Sequence, residues 1–208
     1  MENTVWDRIE SARSRWNVLE HPFYQRWSAG ELTADELAAY SGQYRRAVEA
    51  IADVSAYVAD QLPGHPELAG HAREEAGHIA LWDGFVEAVG GDTAVPANAE
   101  TSECYETWTR HDGALGALAR LYAVESGQPE ISRTKLEGLA AHYDVPTGTG
   151  THYFSVHRGR DVEHAAEGRE LLEQLIETRE DEDLVVAAAE RAFEANWTLL
   201  DGVEDGTH

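Results

Sequence analysis

The run Phe154-Ser-Val-His157-Arg-Gly-Arg-Asp161-Val-Glu-His164 places its chemically distinctive residues three and four positions apart. That is the period of one face of an α-helix. Extended in both directions, the face reads Phe154, His157, Asp161, His164, Gly168, Leu171, Leu175. Its ends are apolar or small and suited to a core, while three consecutive turns in the middle carry His, Asp and His. A helix that turns such a face inward must be surrounded by other helices, and its polar groups need a common reason to be buried.

Two further segments show the same substitution of ligands for core residues. From Pro66 the inward stripe is Leu68, His71, Glu75, His78, Trp82, Phe85, Val89, in which Glu75-Ala-Gly-His78 sets two ligand types one turn apart. From Ala114 the stripe is Leu115, Leu118, Tyr122, Glu125, again ending on a carboxylate. Glu74 competes with Glu75 for the role facing His78, and the stripe favours Glu75. His71 reads as a polar core neighbour or as a residue orienting a ligand from behind. His65, His111, His142, His152 and His208 read as loop or surface residues.

A lone inward Glu or His is ordinarily a paired or satisfied core residue. Three carboxylates and three imidazoles in one core are different, because each unpaired buried charge costs several kcal/mol, roughly. Two divalent cations remove that cost. The mixture of Glu75, His78, Glu125, His157, Asp161 and His164 suits iron or manganese, whereas a structural zinc site is single and four-coordinate. The expected cofactor is therefore two Fe, or Mn plus Fe.

The rest of the chain is helical by pattern. Helices are expected at Thr4 to Leu19, Phe23 to Trp27, from Thr33 to Pro63, Pro66 to Val89, Thr101 to Arg110, Ala114 to Ser126, Glu130 to Tyr143, Thr151 to Thr178 and Asp181 to Leu200. Thr33-Ala-Asp-Glu36 is a capping box opening a helix whose inward positions include Leu37, Tyr40, Tyr44, Ile51, Val54 and Val58. Gln128-Pro129 reads as a break between two helices. No segment alternates for long enough to make a strand. These features give one all-α domain over residues 1–208, a bundle of about seven to eight helices.

Composition excludes several classes. The net charge is −23, which opposes nucleic acid and anionic membrane surfaces as partners. No apolar run approaches a spanning length and no signal peptide opens the chain, so a cytoplasmic location is expected. The single Cys104 excludes a disulfide framework. Of 16 basic residues only Lys135 is a lysine. An acidic, lysine-poor chain fits a salt-rich, halophilic setting, where self-repulsion is screened. It also singles out Lys135, since lysine can lose its proton and act as a nucleophile where arginine cannot.

In this order the residues resemble the heme-oxygenase-like metal oxidases, a group that includes TenA-like and pyrroloquinoline-quinone synthase C-like proteins. Within it they resemble the CADD-like branch, linked to folate synthesis. The segments that carry the likeness are His21-Pro-Phe-Tyr-Gln-Arg-Trp-Ser-Ala-Gly-Glu-Leu-Thr33, Tyr40-Ser-Gly-Gln-Tyr44, Glu74-Glu-Ala-Gly-His78, Leu121 to Glu130, Arg133-Thr-Lys135, and His157 through Asp161 to His164. TenA thiaminases and the cofactorless quinone synthases lack the six-ligand set. The chain departs from the branch at Val124, where relatives carry a tyrosine, and the Glu75–His78 spacing is tighter than in relatives with a short insertion.

The resemblance implies a self-sacrificing synthesis of para-aminobenzoate. In that chemistry Tyr24 supplies the ring and Lys135 the amine, with Tyr40 as a further catalytic residue. It also implies dioxygen and a reductant as co-reactants, and a homodimer. Two rival readings are a related oxidase acting on a diffusible substrate and a metal-storage or regulatory protein on the same bundle. A buried Tyr and Lys beside the metals would favour the self-sacrificing synthesis, an open apolar pocket the oxidase on a diffusible substrate, and a site closed to oxygen or lacking a second metal the storage or regulatory protein.

Overall fold

Reciprocal caps fix three of the helix starts. The Thr4, Thr33 and Thr178 hydroxyls accept from the backbone N–H groups of Asp7, Glu36 and Asp181, whose carboxylates accept in return from the threonine backbones. The computed structural model describes residues 3–206. They form eight α-helices and no strand among the described residues: α1 (Val5–Arg15), α2 (Pro22–Ala29), α3 (Ala34–Gln61), α4 (Pro66–Ala88), α5 (Ala99–Trp108), α6 (Ala114–His142), α7 (Thr149–Leu175) and α8 (Arg179–Asp205).

The first helix ends at Arg15 rather than Leu19. Asn17 accepts from the Leu19 N–H and opens a 3-10 turn, Val18–Glu20, that redirects the chain. His21 then caps α2: its Nδ1 accepts from the Phe23 N–H at 3.1 Å, and Pro22 occupies the first turn, where its missing donor costs nothing. Gly30 closes α2 in the left-handed region at φ 73°. His111, His142 and His152 are exposed and His65 is half-buried, while His208 lies outside the described residues.

The largest departure from the sequence expectation is α6, a single helix running through Pro129 where two helices were expected. A proline inside a helix costs about 3 kcal/mol, because it removes the hydrogen bond to the carbonyl four residues back, here that of Glu125. Burial opposes that cost. Ile131, Ser132, Lys135 and Leu139 all turn inward on the far side of Pro129, and α6 packs along α7 and α8. Tertiary packing keeps the helix continuous.

α7 packs against both α4 and α6, and α3 packs against the same two. The four helices α3, α4, α7 and α6 thus form a ring, and the ligand stripes of α4, α6 and α7 face its interior. α2 seals one end against α6. Trp27 lies so close to Gly138 that a Cβ there would fall 2.4 Å from its indole nitrogen. No helix among the described residues is long and apolar enough to cross a membrane.

Candidate metal centre

Glu75 stands at the middle of the ring. It is 3% exposed, whereas the Glu74 side chain is 41% exposed and makes a two-pronged pair with Arg160 at 2.9 Å. One step of 100° along α4 separates the two fates. Around Glu75, Nδ1 of His78 lies 3.1 Å from Oε2, Nε2 of His157 lies 3.9 Å from Oε2, and Nδ1 of His164 lies 3.8 Å from Oε1. His71 joins them: its Nε2 is 2.7 Å from Oε1 of Glu125 and 3.6 Å from Oε1 of Glu75.

Two compact groups result. In one, His71, Glu75, Glu125 and His164 bring their ligand atoms within 4.8 Å of one another; in the other, Glu75, His78 and His157 do so. Glu75 belongs to both. Asp161 belongs to neither, but it is 1% exposed and both of its carboxyl oxygens lack a hydrogen-bond partner. His157 is aimed by its own helix: Nδ1 donates to the Tyr153 carbonyl at 2.8 Å, which leaves Nε2 as a lone-pair donor facing Glu75.

The polar groups here are not satisfied by one another. Oε1 of Glu75, Oε1 of Glu125, Nε2 of His71, Nε2 of His157 and Nδ1 of His164 are all buried without a hydrogen-bond partner. Buried polar atoms are paired in nearly all proteins, so this concentration of orphans in one place fits a bound cation. The electrostatics agree. Burial pushes Asp161 up to about 9, helped by the carboxylates of Glu125 and Glu75. Burial also raises Glu125 to about 7, against the pull of His71. Burial would raise Glu75 as well, but His157, His71 and His78 hold it far below the usual carboxylate range. Burial and the charge of His71 bring His164 down to about 4. The burial that opposes charge at His71 is outweighed by Glu125 and Glu75, which lift it to about 10. Crowded carboxylates that repel one another into protonation are what a divalent cation relieves.

Next to this centre lies an aromatic cage around Lys135. The side chain is 1% exposed, with Nζ 4.6 Å from the ring centre of Tyr44, 5.2 Å from Tyr40 and 5.7 Å from Tyr24. Trp82 and Phe154 complete the cage at 5.3 and 5.1 Å. Five π faces would favour an ammonium by about 0.5–2 kcal/mol each at best. Desolvation is larger, and burial holds the amine well below its usual pKa, with no carboxylate beside it to offset the effect. Tyr24, Tyr40 and Tyr153 are raised well above the usual phenol range, burial being the main cause.

Rings connect cage and centre without a gap. Tyr40 and Tyr44 lie 5.3 Å apart, Tyr44 and Trp82 5.0 Å, Trp82 and Tyr153 4.9 Å, and Tyr153 stacks on His157 at 3.9 Å. Tyr153 and Tyr44 both feel the charge of Asp161. The structure therefore gathers Glu75, His78, Glu125, His157, Asp161 and His164 in one place and sets Tyr24, Tyr40 and Lys135 together beside it. Sequence reasoning passed over His71 as a member of the cluster, and it passed over Tyr153 and the cage role of Tyr44. The spacing His71, Glu75, His78 on one face was the available signal for the first, and Tyr153 sits one turn before His157.

The fold and this nest of carboxylates and imidazoles define a heme-oxygenase-like helical protein with a candidate metal site. Residues 33–197 match the family described as iron-containing redox enzyme, and the chain belongs to that family. It is 30% identical to a 4-aminobenzoate synthase of Nitrosomonas europaea over 98% of this chain and 92% of that protein. It is likewise 30% identical to a 4-aminobenzoate synthase of Chlamydia muridarum over 94% of this chain and 88% of that one. Among solved structures, a domain with a heme-oxygenase-like fold from Shewanella denitrificans superposes with a TM-score of 0.80 at 22% identity, covering 100% of this chain and 94% of that one.

Proposed function

We propose that this chain is a two-metal, oxygen-dependent enzyme that makes 4-aminobenzoate from its own Tyr24, with Lys135 as the nitrogen source. The observation that carries the reading is the lone lysine of the chain, buried with its amine over the ring of Tyr24 and beside a nest of metal-type ligands. The two relatives described above bear the name of that product.

Glu75, His78, Glu125, His157, Asp161 and His164 are the residues that would hold two iron ions, or manganese with iron. When bound there, such ions supply oxidising power drawn from dioxygen and an external reductant. The chain's own residues do the rest. Mapped onto 4-aminobenzoate, a tyrosine side chain keeps its ring, its Cβ becomes the carboxylate carbon, and an amine replaces the phenol oxygen. The Cα–Cβ and ring C–O bonds of Tyr24 and the Cε–Nζ bond of Lys135 must therefore break, with the phenol oxygen leaving as water. The change is an oxidation at carbon, which accounts for the co-reactants.

Lys135 contributes an amine whose pKa burial holds well below its usual value, which favours the neutral form with its nucleophilic lone pair. The cage keeps water from competing for the ring. Tyr40 lies beside both reactants: its ring centre is 5.2 Å from Nζ of Lys135, its hydroxyl has no well-formed hydrogen bond, and Tyr24 and Tyr44 are among the groups that perturb it. The cavity that reaches Glu125 and His164, between Leu68, Leu121 and Tyr122, holds about 40 Å³, enough for a few waters.

Protein carrying ring-carbon-13 tyrosine and nitrogen-15 lysine tests the reading. With iron, reductant and oxygen it should release doubly labelled 4-aminobenzoate, at no more than about one molecule per chain, since a consumed residue does not recycle. Unlabelled product, or many turnovers per chain, would show that the ring comes from a free substrate.

A further inference from the structure

His71 has no task in a six-ligand centre, yet it is built into one. It lies on the same face of α4 as Glu75 and His78, at successive spacings of four and three. Its side chain is 10% exposed, and its ring centre lies 3.8 Å from that of His164. The contact of 2.7 Å between its Nε2 and Oε1 of Glu125 is short enough for a strong hydrogen bond. Both atoms nevertheless lack a properly directed hydrogen bond. They are close without being aimed at each other, which is the arrangement of two donors facing a common ion. His164 presents its own unpartnered Nδ1 to the same space, 3.8 Å from Oε1 of Glu75.

We propose that His71 is a seventh protein ligand of the centre. It completes a second metal position formed by His71, Glu75, Glu125 and His164, beside a first formed around Glu75, His78 and His157, with Glu75 common to both. The proposal rests on the two-metal reading above and sharpens it. Without His71 the second position has one imidazole and two carboxylates, a set that manganese tolerates well. With His71 both positions hold two imidazoles. Nitrogen donors favour ferrous iron over manganous ion along the first-row series, so this chain is built for iron at both positions.

Cobalt(II) serves as the probe, because it follows ferrous iron in ligand preference and shifts the proton resonances of the imidazoles bound to it. Metal-free protein labelled with nitrogen-15 in its histidine rings is titrated with cobalt(II). Four hyperfine-shifted imidazoles, from His71, His78, His157 and His164, are expected rather than three. In His71→Ala one shifted signal should vanish and the second equivalent should bind at least about tenfold more weakly, and added free imidazole should restore it. In competition between ferrous and manganous ions, the variant should take up more manganese than the wild type. The wild-type signal count needs no variant, so a His71→Ala protein that fails to fold does not stop the test. Two bound ions with only three shifted imidazoles would overturn the proposal and leave the two-metal reading standing. Fewer than two ions in the wild type would overturn both.

Discussion

Lys135→Met removes the only ε-amine of the chain and keeps a side chain of similar length in the aromatic cage, where a thioether packs well against rings. Burial holds the folded amine's pKa well below the 10.5 of the unfolded chain. The unfolded state therefore binds the extra proton, and wild-type stability must rise with pH until the unfolded lysine loses its own proton. Each pH unit in that window is worth about 1.4 kcal/mol. For an amine that is neutral when folded, the sum between pH 8 and 10 is about 2–3 kcal/mol, because the unfolded amine begins to titrate at the upper end. The methionine variant lacks this term, so it should be more stable than wild type at pH 8, and the gap should close by that amount at pH 10. Urea unfolding of the metal-free proteins at several pH values measures both curves, and taking their difference cancels the other titrating groups. Parallel curves would mean that the folded amine stays charged. Lys135 would then have no lone pair to offer at neutral pH, and its part in the proposed chemistry would fail.

Three further outcomes follow from the same geometry. Glu75→Gln should lower metal content at both positions because Glu75 belongs to both ligand groups, whereas Glu74→Gln should leave elemental analysis unchanged at two ions per chain. Glu125→Gln or His157→Ala should empty one position each, and a wild-type content of one zinc per chain would sink the oxidase reading. In metal-free protein, Asp161 keeps a proton up to about pH 9 that the unfolded chain releases near 3.8, so the stability this adds is full at acid pH and lost as pH climbs through that window. Thermal melts should therefore fall from pH 5 to 8 more steeply in wild type than in Asp161→Asn; equal slopes would show that Asp161 is ionised throughout.

The helical faces were legible because burial writes a 3.6-residue period into the chain: Phe154, His157, Asp161 and His164 announced both a helix and its inward side. Glu75 was separable from Glu74 by the same argument. Two features were not legible. Pro129 signals a helix end by local rules, and only the burial of Ile131, Ser132, Lys135 and Leu139 beyond it shows that packing overrides the break. The cage around Lys135 draws Tyr24 from α2, Tyr40 and Tyr44 from α3, Trp82 from α4 and Phe154 from α7. No spacing within one helix encodes a meeting of five elements. His71 was visible as an inward residue, but its approach to Glu125 on α6 depends on how two helices sit across α7.

The burial of Lys135 also gives the protein an unusual chemical surface. Apart from the α-amino group of the chain, a folded molecule offers no amine to an acylating reagent, because its one ε-amine is 1% exposed. Arginine carries the remaining positive charge and does not react under the same conditions. Brief acylation before and after denaturation would thus mark a single residue with almost no background. The intact mass of each molecule would then report whether Lys135 is native, unmasked or already altered, one chain at a time.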